Sequence, residues 1–216
     1  MPSLRRTVID ILLKFPIIGD YIRCVKADIY PITWIRFLRI RVFKHYKHYY
    51  PMPKDCIIQH SNKLYVGKNA HPFRIGCYYQ AEGGIYIGSY VGMTNYCTLM
   101  STNHDLYNHT EKHPRPIIIH DYCWIGTHSI ILSGVELGPR TIVGAGSVVT
   151  KSFPEGYCVI AGNPAKIIKH LEKDKVIFRH YEYECYGCFS PQQFKKYQKR
   201  FIDVSPEDFG IMDSEC

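Results

Sequence analysis

The sequence has no long apolar run, no cysteine framework and no even spread of charge. No stretch approaches the roughly 18 apolar residues that a membrane-spanning helix needs, so none is predicted. The nine cysteines are odd in number and irregularly spaced, which argues against a disulfide scaffold and predicts reduced, mostly buried thiols. Cys185 and Cys188 form one C-x-x-C without a second pair at matching spacing, so we expect no structural zinc site.

What the sequence does contain is a six-residue repeat. Apolar residues recur at this interval in two series: Ile75, Ala81, Ile87, Met93 and Leu99, then Ile119, Ile125, Ile131, Leu137, Val143 and Val149. Glycine follows directly at Gly76, Gly88, Gly126, Gly138 and Gly144. A six-residue unit fits one short strand and one tight turn, for which we expect glycine to supply the backbone geometry. Three such units close one triangular coil of about 18 residues.

The repeat stops once, at STNHDLYNHTEKHPRP (101–116). Leu99 and Ile119 are 20 residues apart, whereas three units would span 18. The chain therefore leaves the coil after Leu99 and re-enters it out of step. We predict an external loop over residues 101–116, and long loops on compact folds commonly carry function.

The repeat predicts an all-β core, a left-handed parallel β-helix of hexapeptide repeats over residues 51–164. Residues 1–50 are interpreted as a basic amphipathic helical segment, because they hold ten Lys/Arg against three Asp in a chain of net charge +8. We expect this segment to cap the open end of the coil and, as an additional role, to contact an anionic membrane surface. Asp10 and Lys14 interrupt its apolar start, so we expect no cleaved signal peptide and a cytoplasmic location, at the inner face of the membrane where contact occurs. No nucleic-acid partner is expected.

Residues 165–216 are predicted to form C-terminal helices and a tail. The motif FSPQQF (189–194) has the signature of a helix start, with Ser190 as N-cap, Pro191 at the first helical position and Gln193 completing a capping box. A second helix is predicted from Ala165 to Lys173, packed along the coil.

Residues 124–169, WIGTHSIILSGVELGPRTIVGAGSVVTKSFPEGYCVIAGNPAKIIK, resemble the hexapeptide-repeat acetyltransferases, as does NHD upstream. The resemblance spans about residues 75–170 and is greatest to the branch that O-acetylates sugars, the galactoside and maltose acetyltransferases, or surface polysaccharides. It implies a homotrimer with sites at subunit interfaces and acetyl-CoA as co-substrate. His104 is followed by Asp105 where the sugar enzymes have proline, which favours a glycan or lipid-linked acceptor.

The resemblance also implies roles for particular residues. His104 is expected to be the catalytic general base, a role that suits a side chain whose unperturbed pKa lies near neutrality. Asn95 and Asp105 are expected on the acceptor side. The acetyl-CoA contacts that the resemblance implies are Trp124, Thr127, Ala145, Thr150 and Lys151. Lys166 is expected to join them because its positive charge suits the phosphates. Trp124 precedes an inward residue, Ile125, so strand alternation points its ring outward.

Other functions fit parts of the pattern. The γ-class carbonic anhydrases use three zinc histidines, two of them five residues apart. His104 and His109 have that spacing, and His71 lies upstream as a third. A serine or antibiotic acetyltransferase and a non-catalytic β-helix scaffold remain open as well, because a fold alone does not fix a function. We expect no metal, since His104 and His109 fall in the loop and not on regular coils.

Overall fold

A computed structural model describes residues 4–27, 32–41 and 48–211. The helices are α1 (Leu4–Leu12), α2 (Pro16–Ala27), α3 (Trp34–Arg41) and α4 (Pro191–Tyr197). The first strands are β1 (Ile57–Gln59), β2 (Leu64–Val66), β3 (Tyr78–Gln80), β4 (Ile85–Ile87), β5 (Gly92–Met93), β6 (Thr98–Met100), β7 (Thr102–His104) and β8 (Lys112–Pro114). The later strands are β9 (Ile117–Ile119), β10 (Trp124–Ile125), β11 (Ile130–Ile131), β12 (Glu136–Leu137), β13 (Ile142–Val143), β14 (Val148–Val149), β15 (Cys158–Gly162) and β16 (Ala165–His170).

Three parallel sheets form the faces of a triangular solenoid, which confirms the predicted β-helix. Face 1 has the order β1-β3-β6-β11-β14, face 2 has β2-β4-β9-β12, and face 3 has β5-β10-β13-β15-β16. Pairing along the later coils steps by 18 residues, as Trp124 pairs with Ile142 and Ile130 with Val148. This is the step that three six-residue units predict.

The interior is filled by the predicted apolar ladder. Ten of its eleven residues are at most 2% exposed. The prediction was wrong for Ile75, which is 47% exposed. Tyr79 takes the core position in that coil, in register with Leu99, so this coil is 20 residues long and Ile75 falls in the turn before β3.

The corner glycines have a different reason from the one the sequence suggested. Gly76 does adopt a positive φ of 66°, but the positive-φ corner residues elsewhere include Tyr122 and His128. At Gly126 and Gly138, a Cβ would lie 2.6 Å from the Ala145 nitrogen and 2.0 Å from the Pro154 oxygen of the next coil. These glycines are required because successive coils approach too closely for any side chain.

The small residues that point inward two places before the apolar ladder satisfy corner carbonyls. Ser129 Oγ donates to the Gly144 carbonyl at 3.0 Å, and Thr141 Oγ1 donates to the Gly138 carbonyl at 2.7 Å. A buried carbonyl without a partner would cost about 1–3 kcal/mol. The alternation of small polar and large apolar residues therefore serves both hydrogen bonding and packing.

Both ends of the chain cover the first coil. Phe37 and Ile40 of α3 are fully buried, and Tyr49 donates its hydroxyl to the Val66 carbonyl at 2.7 Å. Phe194 of α4 packs on Tyr49 with ring centroids 4.6 Å apart. These contacts bury the apolar surface that an open solenoid end would expose. Residues 28–31 and 42–47 of the basic segment, with Lys44 and Lys47, and residues 212–216 of the tail lie outside the described residues.

The C-terminal region confirms one predicted helix and corrects the other. Helix α4 begins at Pro191 with Ser190 as N-cap, and both hydrogen bonds of the capping box to Gln193 are present. The helix predicted from Ala165 to Lys173 is wrong: β16 forms an antiparallel hairpin with β15 instead. The last coil ends in a strand with unpaired backbone groups, and pairing with β16 satisfies them.

Candidate functional site

The predicted external loop is a β-hairpin that projects from the corner between faces 1 and 2. Strands β7 and β8 pair antiparallel, with Asn103 opposite His113 and His104 opposite Lys112. The root closes where the Arg115 N–H donates to the Ser101 carbonyl at 2.9 Å. In the later coils, paired residues are 18 positions apart in the sequence. Across the hairpin this separation is 32, because Leu99 pairs with Ile131. Fourteen residues are thus inserted without disturbing the coil beyond.

His104 has its imidazole fixed by the hairpin's own backbone. Its Nδ1 lies 2.6 Å from the carbonyl oxygen of His109. A carbonyl can only accept, so Nδ1 carries the proton and Nε2 of the neutral ring keeps its lone pair. The side chain is exposed. The geometry thus presents an oriented base to whatever approaches the hairpin.

Asp105 organises the tip of the hairpin. One carboxylate oxygen accepts from the backbone N–H groups of Tyr107 and Asn108, at 2.8 and 2.9 Å. The other lies 3.2 Å from His113 Nε2. The backbone donors, first that of Tyr107, hold the pKa of Asp105 below its usual value. Its charge is therefore used to shape the hairpin that carries His104.

Three of the expected site residues form a column at the corner between faces 3 and 1. Asn95, Thr127 and Ala145 follow β5, β10 and β13 on successive coils. The Thr127 hydroxyl donates to the Asn95 carbonyl at 2.8 Å, which ties the first two together. The Asn95 side-chain oxygen is buried and has no hydrogen-bond partner within the part of the chain that the structure describes. Its capacity to accept a hydrogen bond is unused within that part of the chain.

Trp124 points outward on face 3, as strand alternation predicted, and is 45% exposed. Its ring lies against Gly92 on the previous coil, where a Cβ would come within 2.5 Å of the indole. Glycine at this position therefore lets the indole lie flat on the face. The indole therefore provides an accessible aromatic surface on face 3.

The other expected acetyl-CoA contacts are spread over two places. Thr150 and Lys151 are exposed on the corner between faces 1 and 2, the corner from which the hairpin leaves. Lys166 is exposed on β16, opposite Ala161, and belongs to the same sheet as Trp124. Within one chain, face 1 separates the Thr150–Lys151 corner from the Asn95 column.

Sequence reasoning missed two features near these residues. The carbonyl of His109 acts on His104, and a backbone group carries no sequence signal. A cavity against Trp124 also includes Arg140 and Arg179. Arg140 stands three residues before the inward Val143, at the corner position of the six-residue repeat, and it has a positive φ of 60°. This spacing could have placed Arg140 at an outer corner from the sequence. Across the described ranges, no group of three His, Cys, Asp or Glu side chains is placed to hold a metal ion.

Comparisons with known proteins agree with this architecture. Residues 116–151 match the family described as bacterial transferase hexapeptide (six repeats). The galactoside O-acetyltransferase of Escherichia coli K12 is 38% identical over 85 residues, 39% of each chain. A putative acetyltransferase of Staphylococcus aureus Mu50 is 34% identical over 113 residues, 50% of this chain and 56% of the relative. The chain therefore matches only between two fifths and just over half the length of these relatives.

Solved structures extend the likeness over most of the chain. A maltose O-acetyltransferase from Clostridium difficile has a TM-score of 0.56 at 23% identity, covering 74% of this chain and 90% of that one. A hexapeptide-repeat acetyltransferase from Vibrio cholerae, complexed with acetyl-CoA, has a TM-score of 0.56 at 19% identity, covering 80% and 92%. Identities this low establish the left-handed β-helix fold. Together with the repeat and the sequence relatives, they show that the chain is similar to the hexapeptide-repeat acetyltransferases.

Proposed function

We propose that the protein transfers an acetyl group from acetyl-CoA to a hydroxyl of a sugar or surface-polysaccharide precursor. The observation that carries this proposal is the hydrogen bond from His104 Nδ1 to the His109 carbonyl, which leaves Nε2 as an oriented base. The relatives named galactoside and maltose O-acetyltransferase support the hydroxyl acceptor.

In the proposed reaction, Nε2 of His104 takes the proton of the acceptor hydroxyl as its oxygen attacks the thioester carbonyl. The carbon–oxygen bond forms, the carbon–sulfur bond of the tetrahedral intermediate breaks, and His104 returns the proton to the CoA thiolate. Asn95 Oδ1 is a buried oxygen with unused acceptor capacity, and we assign it to a second hydroxyl of the acceptor. Asp105 keeps the hairpin in shape and so contributes to the acceptor side indirectly.

For acetyl-CoA, we propose that Trp124 lies beside the pantetheine arm, with Thr127 and Ala145 along the same corner. Thr150, Lys151 and Lys166 would hold the adenine and the phosphates, since lysine is an effective point charge for phosphate. These residues are divided between two corners of one chain. A homotrimer would bring a corner of one subunit against the hairpin of the next, so we propose threefold assembly with sites at the interfaces.

The direct test is release of free thiol from acetyl-CoA, followed with and without a panel of sugars, glycans and lipid-linked glycans, with products identified by mass spectrometry. An acceptor-dependent release with one acetyl group added to a hydroxyl is expected. Absence of thiol release with every acceptor in the panel, from protein that binds acetyl-CoA, would count against the proposal and favour a scaffold.

We also propose that the N-terminal helices contact an anionic membrane surface. Helices α1 to α3 and their connections expose several large apolar side chains: Val8, Ile11, Phe15, Ile17, Ile18, Trp34 and Ile35. Lys14, Arg36 and Arg39 are exposed beside them. Exposed apolar groups combined with basic residues favour binding at the interface of anionic lipids. Within the described ranges, no helix has the length and apolar character to cross a bilayer.

Replacement Ile35→Ser should weaken binding of the full chain to phosphatidylserine-containing vesicles by about tenfold, because burying an isoleucine is worth about 1.5–3 kcal/mol. The matched control is Ile168→Ser on β16, since Ile35 is 63% and Ile168 65% exposed. Vesicle flotation measures the bound fraction for both. Equal losses in the two variants, or equal recovery with and without residues 1–50, would remove the membrane proposal.

A further inference from the structure

A segment after β16 passes over face 3 and covers one side of an open cavity of about 520 Å³. We call residues 176–181 the strap. It is held by a hydrogen bond from Arg140 Nη2 to the Ile177 carbonyl and by Phe178, whose ring meets that of Tyr122 edge-on at 4.9 Å. Tyr181 stacks on Tyr90 with ring centroids 5.9 Å apart. A volume of this size suits a small organic ligand.

The cavity has an aromatic and apolar lining. Gly92, Trp124 and Ile142 from three successive coils of face 3 line it on the solenoid side. The corner residues Tyr90 and Tyr122 also line it, as do members of the strap. Because Gly92 has no side chain, the indole lies flat and nearly half of it stays exposed. Flat aromatic surfaces of this kind suit the face of a ring-shaped ligand.

Positive charge is the second property of the cavity. Arg140 and Arg179 line it, and no Asp or Glu does. Arg140 is positioned by Tyr122 and Phe178, whose ring centroids lie 5.4 and 4.9 Å from its guanidinium carbon. Its Nε is buried and has no hydrogen-bond partner among the described residues. Arg179 donates to the Tyr181 hydroxyl at 3.3 Å through one nitrogen and is otherwise exposed. Guanidinium groups favour carboxylate and phosphate, and a cavity with no acid of its own lacks an internal counter-charge.

We propose that this cavity is an acceptor subsite and that the acceptor is an anionic saccharide. Its ring would pack on the cavity side of Trp124, where acceptor and pantetheine arm must meet for transfer, and the hairpin of the next subunit in the proposed trimer would supply His104. Its carboxylate or phosphate would pair with Arg140 and Arg179. The inference rests on the proposed acetyl transfer and narrows its substrate class. A neutral sugar would use the aromatic surface but leave two guanidinium groups without an anion.

The test compares binding of glucuronate, glucose 1-phosphate and neutral glucose to the full chain by ligand-observed NMR, without acetyl-CoA. We expect both anionic sugars to bind at least about tenfold more tightly than glucose, because hydrogen bonds from a guanidinium to an anion are charge-assisted and stronger than those to a neutral hydroxyl. Arg179→Gln should remove most of that preference. The substitution is at an exposed side chain, so folding should persist. The difference in affinity between glucuronate and glucose 1-phosphate reports whether the cavity prefers a carboxylate or a phosphate.

The control is Lys173→Gln, which removes an exposed positive charge from the same C-terminal segment but outside the cavity lining. It should leave the preference unchanged. Equal affinity for glucose and the anionic sugars, or equal loss in both variants, would overturn the inference. Arg179-dependent binding of adenosine 3′,5′-bisphosphate in place of the sugars would also overturn it, because the cavity would then serve the cofactor. Acetyl transfer to a neutral sugar with no binding of the anions would leave the proposed function and remove this inference.

Discussion

Replacing His104 with alanine should lower kcat for acetyl transfer by about 10²–10⁴-fold, the usual contribution of a general base. The variant should still bind acetyl-CoA, because none of the residues proposed to contact acetyl-CoA lies on the hairpin. Its fold should also persist, since the His104 side chain is exposed and makes its hydrogen bond within the hairpin. The measurement is thiol release at saturating acetyl-CoA, with acetyl-CoA binding determined separately.

The chain offers a matched control in His109→Ala. His109 acts on His104 through its backbone carbonyl, which alanine retains. Its substitution should therefore change kcat by far less than that of His104, although both are histidines of the same hairpin. A His104→Ala protein with near-normal turnover would contradict the assignment of the base. Similar losses in both variants would point to a role for the hairpin as a whole.

The second large effect concerns stability in acid and originates at His48. This histidine is completely buried, and burial lowers its pKa to about 4. Nε2 donates to the Leu64 carbonyl at 3.1 Å, and Nδ1 accepts from the Tyr50 N–H at 3.3 Å. The neutral ring is fully satisfied in one tautomer. Protonation would bring a second N–H against the Tyr50 donor, in a place without solvent.

In the unfolded chain His48 has a pKa of about 6.5, so between about pH 6.5 and 4 the unfolded state binds the proton and the folded state does not. Its contribution is complete above this window, and about 3 kcal/mol of unfolding free energy should be lost as the pH falls through it. Denaturant unfolding at several pH values measures the loss. His48→Gln, which can donate and accept but not titrate, should be less sensitive to pH across this window. An equal pH dependence in both proteins would contradict the role of His48.

Much of the fold could be predicted from the sequence because the six-residue repeat shows directly which side chains pack in the interior. Ile125 and its equivalents had to point inward, and that placed Trp124 outside. The capping box at Ser190 is local chemistry and was readable for the same reason. The hairpin was located by counting, since Leu99 and Ile119 are out of step.

What could not be read depends on contacts between distant segments. Residues 165–170 have helix-compatible composition, but the free edge of β15 selects a strand there. Gly138 is set by Pro154 on the next coil, not by its own backbone angles. The cavity over Trp124 arises only because the strap folds back onto face 3. No local pattern in the sequence predicts these contacts between segments that are distant along the chain.

The closure of the hairpin at its root makes it an interchangeable module. Ser101 accepts from the Arg115 N–H and also from the Ser133 hydroxyl of the next coil at 3.1 Å, so the solenoid is joined across the gap independently of what lies between. The hairpin between Ser101 and Arg115 can therefore change in length and composition while every later coil keeps its alignment. Substitutions, insertions and deletions in the segment that carries His104 should therefore leave the packing of the core unchanged. Such changes could alter which acceptor binds without destabilising the solenoid.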